Sequence, residues 1–171
     1  MDAIQKNLLE QVAELHGVPE GAYNIRANGK AAARNTTASI DIVSKTDKDG
    51  IDIIIKPGTK NQSVHIPVVL SESGLTEMVY NDFFIGDDCD VTIVAGCGIH
   101  NCGVQNSEHS GIHSFHVGQL SLIHISSTWA RAIWRRGESG PCWGKTNSSA
   151  CPHARWSRPW PPRRRGPTTW G

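Results

Sequence analysis

A chain of 171 residues can carry one ordinary domain with a real core, and a second only if it is small. Its net charge of +1 is the balance of two unlike parts: residues 1–118 hold 8 Lys+Arg against 15 Asp+Glu, whereas residues 119–171 hold 9 Lys+Arg against one acid, Glu138. No apolar stretch is long enough to span a bilayer, and "MDAIQKNLLEQVAELHG" lacks the basic start and apolar run of a secretory leader, so the expectation is a cytoplasmic protein with no membrane partner and with reduced thiols.

In residues 1–17, Ile4, Leu8, Val12 and Leu15 recur at helical spacing, with Leu9 widening the stripe. Asp2 can cap this amphipathic helix and Gly17 can end it, with His16 placed to favour the C-terminal dipole. Residues 18–35 have no clear period and read as a connecting arm.

From residue 36 the period becomes two. Ala38, Ile40 and Ile42 share a face; Ile51, Ile53 and Ile55 align opposite Asp52 and Lys56; Val64, Ile66, Val68 and Leu70 form a third run; Val91, Ile93 and Ala95 a fourth. Turns fall at Asp49-Gly50, at Pro57-Gly58, which suits the centre of a type II turn, and at Gly86-Asp87-Asp88. Asp87, Asp88 and Asp90 read as turn formers, because EF-hand spacing is absent. Pro67 within its run predicts an edge strand or a break. His65 falls on the polar face of its strand. Many short strands at regular intervals mean an all-β sandwich, barrel or solenoid.

"AGCGIHNCGVQNSEHSGIHSFHVG", residues 95–118, gathers Cys97, His100, Cys102, His109, His113 and His116. Thiolate and imidazole ligate zinc and iron, so these six are the candidate metal ligands. Their spacings match no standard zinc signature, and an offset of three puts His113 and His116 on opposite faces of a strand. Cys is also commonly a small buried hydrophobe, and the glycines suit a compact corner. No phosphate-binding G-x-x-x-x-G-K-[ST] and no G-x-S-x-G nucleophile elbow occurs, and no catalytic pair stands out.

The run from "VPEGAYNIRANGKAAARNTTASIDIVSKTDKDGIDIIIKPGTKNQSVHIPVVL" through "LTEMVYNDFFIGDDCDVTIVAGCGIHNCG" to "GIHSFHVG" strongly resembles the SufB/SufD family of the SUF system, scaffold subunits of iron–sulfur cluster assembly. The likeness covers residues 1–118. It implies a mainly β fold: an N-terminal helix, then over residues 36–118 the first rungs of a right-handed parallel β-helix. It implies a non-enzymatic scaffold that holds an iron–sulfur cluster transiently. The implied partners are an ABC-type ATPase and a second SufB/SufD-like subunit. In the family the cluster-assembly residues lie in later rungs and the ATPase-docking helices near the C-terminus, so no residue role carries over. The alternative for this part is a small cupin-like β-barrel metalloprotein using residues 97–116.

The family-like sequence should continue into further rungs. Instead "LSLIHIS", residues 120–126, reads as an in-frame translation of a transposon-end sequencing adapter, and residues 127–171 as unrelated DNA. All six tryptophans and six of the nine prolines lie after Gly118, which fits a change of DNA source. The chain is thus expected to be a chimera, a truncated scaffold fragment with a disordered tail over 119–171. If the tail is genuine, "RWSRPWPPRRRG" suits single-stranded nucleic acid or an anionic surface. A scaffold cut after Gly118 would leave its last rung's edge open, a template for aggregation.

Overall fold

The computed structural model describes residues 1–13, 19–101 and 105–133. The chain is mainly β, with one N-terminal helix and two mixed sheets. Helix α1 spans Ala3–Ala13. Its start is a reciprocal cap: Asp2 Oδ1 accepts from Gln5 N at 2.8 Å, and Asp2 N donates to Gln5 Oε1 at 3.2 Å. Leu8, Leu9 and Val12 are buried while Ile4 stays exposed. The expected Leu15, His16 and Gly17 lie outside the described residues.

Strands β1 (Ala22–Ala27) and β2 (Lys30–Asn35) form an antiparallel hairpin around Asn28 and Gly29, both at positive φ. They occupy most of the connecting arm expected over 18–35. The arm's weak periodicity has a physical cause: β1 is covered on both faces and β2 is an exposed edge, so neither alternates cleanly. β3 (Ile40–Ser44) and β4 (Gly50–Ile55) form a second antiparallel pair. Ala38 precedes β3 and is exposed, off the face it was expected to share with Ile40 and Ile42.

Beyond β4 the chain alternates between the sheets. β5 (Lys60–Leu70), β7 (Asp90–Asn101) and β9 (Leu122–Ile133) extend the sheet ordered β2-β1-β5-β7-β9, while β6 (Thr76–Ile85) and β8 (Glu108–Val117) extend the sheet ordered β3-β4-β6-β8. Every ladder in this part is parallel. β5 lies on β1, and each strand from β6 onward lies on the one laid down two strands earlier. The repeat is regular: 29 residues from Val64 to Ile93, 30 from Ile53 to Phe83 and 32 from Phe83 to Phe115.

The core lies between the sheets, where Ile40, Ile42, Ile51, Ile53, Ile55, Val64, Ile66, Phe83, Ile85, Val91 and Ile93 are buried. Inward alternation is as expected for the four runs, Ala38 excepted. Phe83 and Phe115 stack at 4.6 Å between ring centroids. The β1/β5/β7 sheet is buried on its outer face too, because α1 packs there with Leu8 and Leu9 against Ile25 and Val69. Gly96 makes this approach possible: a Cβ would stand 2.3 Å from the Val12 carbonyl oxygen.

Of the two readings of Pro67, an edge strand or a break, the structure shows the break, since β5 lies between β1 and β7. Its pairing with β7 is continuous, but the β1 ladder is interrupted between Tyr23↔His65 and Arg26↔Val68, where the missing donor falls. A bulge at Asn61 (φ 52) starts the same strand.

The turns stack as the strands do. Gly58 (φ 77), Asp88 (φ 56) and Leu120 (φ 56) occupy one left-handed position in three successive turns. Backbone bonds tie the three together: Gly58 N donates to the Asp87 carbonyl at 2.9 Å, and Asp88 N to the Gln119 carbonyl at 2.8 Å. The disorder expected from residue 119 does not extend over Leu122–Ile133. There Ile123 and Ile125 continue the column begun by Val91 and Ile93, and the open edge of β7 supplies a full ladder. The rest of the tail, residues 134–171, lies outside the described residues.

Candidate functional site

The interior of the stack changes character along β6 and β8. At one end it is hydrocarbon, with Phe83, Ile85 and Phe115. At the other, the inward column carries Glu77 opposite His109 and Asn81 opposite His113. Glu77 is 6% exposed at its side chain and bridges two neighbours. Arg26 Nε, reaching over from β1, donates to Glu77 Oε1 at 2.6 Å, and His109 Nδ1 donates to Oε2 at 3.1 Å. Arg26 is anchored further by a 2.9 Å bond from Nη2 to the Gly29 carbonyl. Burial pushes the Glu77 carboxyl up, but the His109 hydrogen bond and the Arg26 charge outweigh it and hold the group below the ordinary carboxylate range. The result is a fixed anion between a guanidinium and an imidazole.

His113 lies four residues beyond His109 on the same face of β8. Its ring folds back over Gly111, where a Cβ would meet Nε2 at 3.1 Å, and Phe83 flanks it at 6.0 Å. Nδ1 is buried with no hydrogen-bond partner. Burial first, and then the nearby His109, lower its pKa, which favours the neutral ring.

The other candidates scatter. Cys97 is buried in β7 and shares a row with Val68 and Arg26. His100, three residues on, faces the α1 side with Gly96 and Gly98; burial lowers its pKa against the opposing pull of Asp2. His116 is exposed and stacks on Phe84 at 4.8 Å, on the opposite face from His113, as its offset predicted. Cys102 lies outside the described residues. Among the described residues, no three of His, Cys, Asp and Glu converge into a ligand set. The parallel ladders and two open sheets also differ from a closed antiparallel barrel of the cupin kind.

Outside the stack, Lys45 bonds both Asp52 and Asp82, the latter at 2.7 Å. Burial raises the Asp82 carboxyl, while hydrogen bonds from Lys45 and Ser114 outweigh it and keep it low. His65 pairs with Ser63 Oγ at 3.2 Å through Nε2, but its Nδ1 is buried without a partner.

Sequence reasoning missed Arg26, Glu77 and Asn81. The available signal was alternation in "TEMVYNDFFI", which puts Glu77 and Asn81 on the inward face with Val79, Phe83 and Ile85. No family profile, no curated protein and no solved structure matches the chain.

Proposed function

We propose that residues 1–118 are the N-terminal part of a SufB/SufD-like scaffold subunit for iron–sulfur cluster assembly. In this reading the stack is the opening of a right-handed parallel β-helix. The parent protein is a cytoplasmic, non-enzymatic subunit that works with an ABC-type ATPase and a second SufB/SufD-like subunit, and the cluster is transient cargo. The observation that carries the reading is the match between the resemblance and the repeat. The signature "AGCGIHN…GIHSFHVG" falls on β7 and β8, consecutive strands of a coil that advances by 29 to 32 residues per turn.

The same repeat supports a junction just after Gly118. Gly118 fits its turn closely: a Cβ there would stand 2.5 Å from Asp87 Oδ1, and Gly86, one turn earlier, is equally confined by Pro57. Two residues later Leu120 occupies a left-handed position held by Gly58 and Asp88 in the preceding turns. A branched apolar residue there conflicts with the local backbone, as expected where one sequence gives way to another.

Two experiments test the proposal. Residues 1–118 replace the equivalent rungs of a bacterial SufB/SufD-type subunit, in a strain that depends on it. Retained iron–sulfur enzyme activity is the expected result. A soluble chimera that still binds the ATPase but restores no activity would sink the assignment. Sequencing the source DNA across codons 110–135, by a route that uses no transposon adapter, tests the junction; recovery of the intact junction would overturn the chimera.

A further inference from the structure

Asn28-Gly29 is the one Asn-Gly pair in the chain, and it forms the tip of the β1–β2 hairpin. The Asn28 side chain is held there by the end of β5. Its Oδ1 accepts from Ser71 N at 2.7 Å, and its Nδ2 donates to Ser71 Oγ at 3.1 Å and to Glu72 Oε1 at 2.9 Å. Asn28 N donates to the Val69 carbonyl at 2.9 Å, and Gln5 Nε2 of α1 donates to the same Ser71 hydroxyl at 3.0 Å. The hairpin tip, the end of β5 and the first turn of α1 thus meet in one clasp.

Gly29 is the open side of the clasp. It is exposed, and a Cβ there would meet nothing within 4 Å. Among the described residues its N–H makes no hydrogen bond. A side-chain amide followed by glycine has a nucleophile within reach of a five-membered ring, with no side chain on that nucleophile's residue to hinder the approach.

We propose that Asn28-Gly29 is a self-modification site, kept unreacted by the clasp and unable to re-form the clasp once it has reacted. Gly29 N gives its proton to solvent base and attacks Asn28 Cγ. The N–Cγ bond forms, the Cγ–Nδ2 bond breaks, and Nδ2 takes up a proton and leaves as ammonia. Water then opens the cyclic imide at either carbonyl, leaving an aspartate or its β-linked isomer. Every bond of the clasp to this side chain is made to the planar amide, so the attack must first undo them. The product has oxygen where Nδ2 stood. It cannot donate to Ser71 Oγ or Glu72, and it sets a second carboxylate against that of Glu72. The β-linked form also lengthens the main chain by one carbon, which shifts the Gly29 carbonyl from Arg26 and upsets the Ala27↔Lys30 pairing. The inference rests on the hairpin tip alone and stands whether or not the scaffold assignment does.

The test uses the full chain, incubated in mildly alkaline buffer with and without urea, then digested. Mass spectrometry follows the one-dalton gain on the peptide that carries Asn28. The chain in urea should react, and the native chain should react roughly ten- to a hundredfold more slowly, because several hydrogen bonds must open first. Ser71→Ala/Glu72→Ala removes both acceptors of Nδ2 and should recover most of that difference with an unchanged far-ultraviolet spectrum. No gain at Asn28 in urea overturns the proposal. So does a native chain that reacts as fast as the unfolded one, or a folded Ser71→Ala/Glu72→Ala chain as slow as the native. The consequence is read separately on Asn28→Asp, the product made directly. Hydrogen exchange in α1 and the hairpin should be roughly tenfold faster than in the native chain. Asn28→Asp/Glu72→Gln, in which residue 72 supplies the donor, should restore most of the protection. Native exchange in Asn28→Asp, or no recovery in the double variant, overturns the claim that reaction unfastens the clasp.

Discussion

Leu120 provides a direct test of how strictly the coil dictates its turns. Its φ of 56° lies in the left-handed region, where an L side chain costs about 1–2 kcal/mol. The side chain is 90% exposed, so removing it sacrifices almost no burial. Leu120→Gly should recover that conformational cost less about 0.5–1 kcal/mol for the greater freedom of glycine in the unfolded chain. The net gain is about 0.5–1 kcal/mol, or a rise of roughly 2–4 °C in Tm. Leu120→Asn should gain by a similar amount, since Asn tolerates this region. The mirror substitution is Gly58→Leu, one position in the same column of turns. A Cβ at Gly58 meets nothing within 4 Å, so its cost is conformational rather than steric, about 1–2 kcal/mol less the same 0.5–1 kcal/mol, a net loss of about 0.5–1 kcal/mol. Urea unfolding followed by far-ultraviolet circular dichroism measures both. A Gly58→Leu chain as stable as the native one, or a Leu120→Gly chain that is less stable, would refute the reasoning.

Glu77→Gln leaves the half-buried Arg26 without its counter-charge and should cost about 2–4 kcal/mol in urea unfolding, toward the lower side of the range for a buried pair. A loss below about 1 kcal/mol would mean the triad is not held as described. Glu77 and Asp82 both have folded pKa values below the ordinary carboxylate range, so their contribution is complete above the unfolded pKa and is lost as pH falls through the folded one. Stability should therefore decline below about pH 4–5, and a Glu77→Gln/Asp82→Asn chain should show a flatter acid limb in the same titration. Gly96→Ala forces a methyl group against the Val12 carbonyl and should cost about 1–3 kcal/mol, with hydrogen exchange in α1 rising before that of β7. Phe83→Ala empties a fully buried site beside Phe115 and should cost about 3–5 kcal/mol, read by thermal melting.

Much of the interior was legible because each inward run alternates against a solvated or polar partner face, as in Ile51, Ile53 and Ile55 opposite Asp52. The hairpin over residues 22–35 was not, since β1 is buried on both sides and alternation vanishes when both faces are covered. Pro67 was legible as a break rather than as an edge. A residue's single N–H points to one neighbouring strand, so proline costs an inner strand a bond on one side only, and here the β1 ladder skips the position. The histidine cluster looked like a single site because its members are close in sequence. The coil separates them: an odd offset puts Cys97 and His100 on opposite faces, and His113 and His116 likewise. What the interior does assemble, Arg26 with Glu77 and His109, joins residues 51 and 32 positions apart, and no local pattern announces such a pairing. The strand over Leu122–Ile133 was missed because the tail's composition outweighed a short local alternation at Ile123 and Ile125.

Because each strand ladder is built on a strand already made, the order of the stack is also an order in time. The hairpins β1–β2 and β3–β4 form the end that leaves the ribosome first, and their contacts are local enough to close at once. Every later strand then meets a finished template of the right length and register. During synthesis the bare edge is thus not a fixed place but a moving front, exposed at β5, then β6, then β7, and sealed each time by the strand that arrives one turn, 29 to 32 residues, later. A pause in translation at any point would leave that front waiting, so the rate of elongation becomes part of what keeps the chain from pairing with the wrong neighbour.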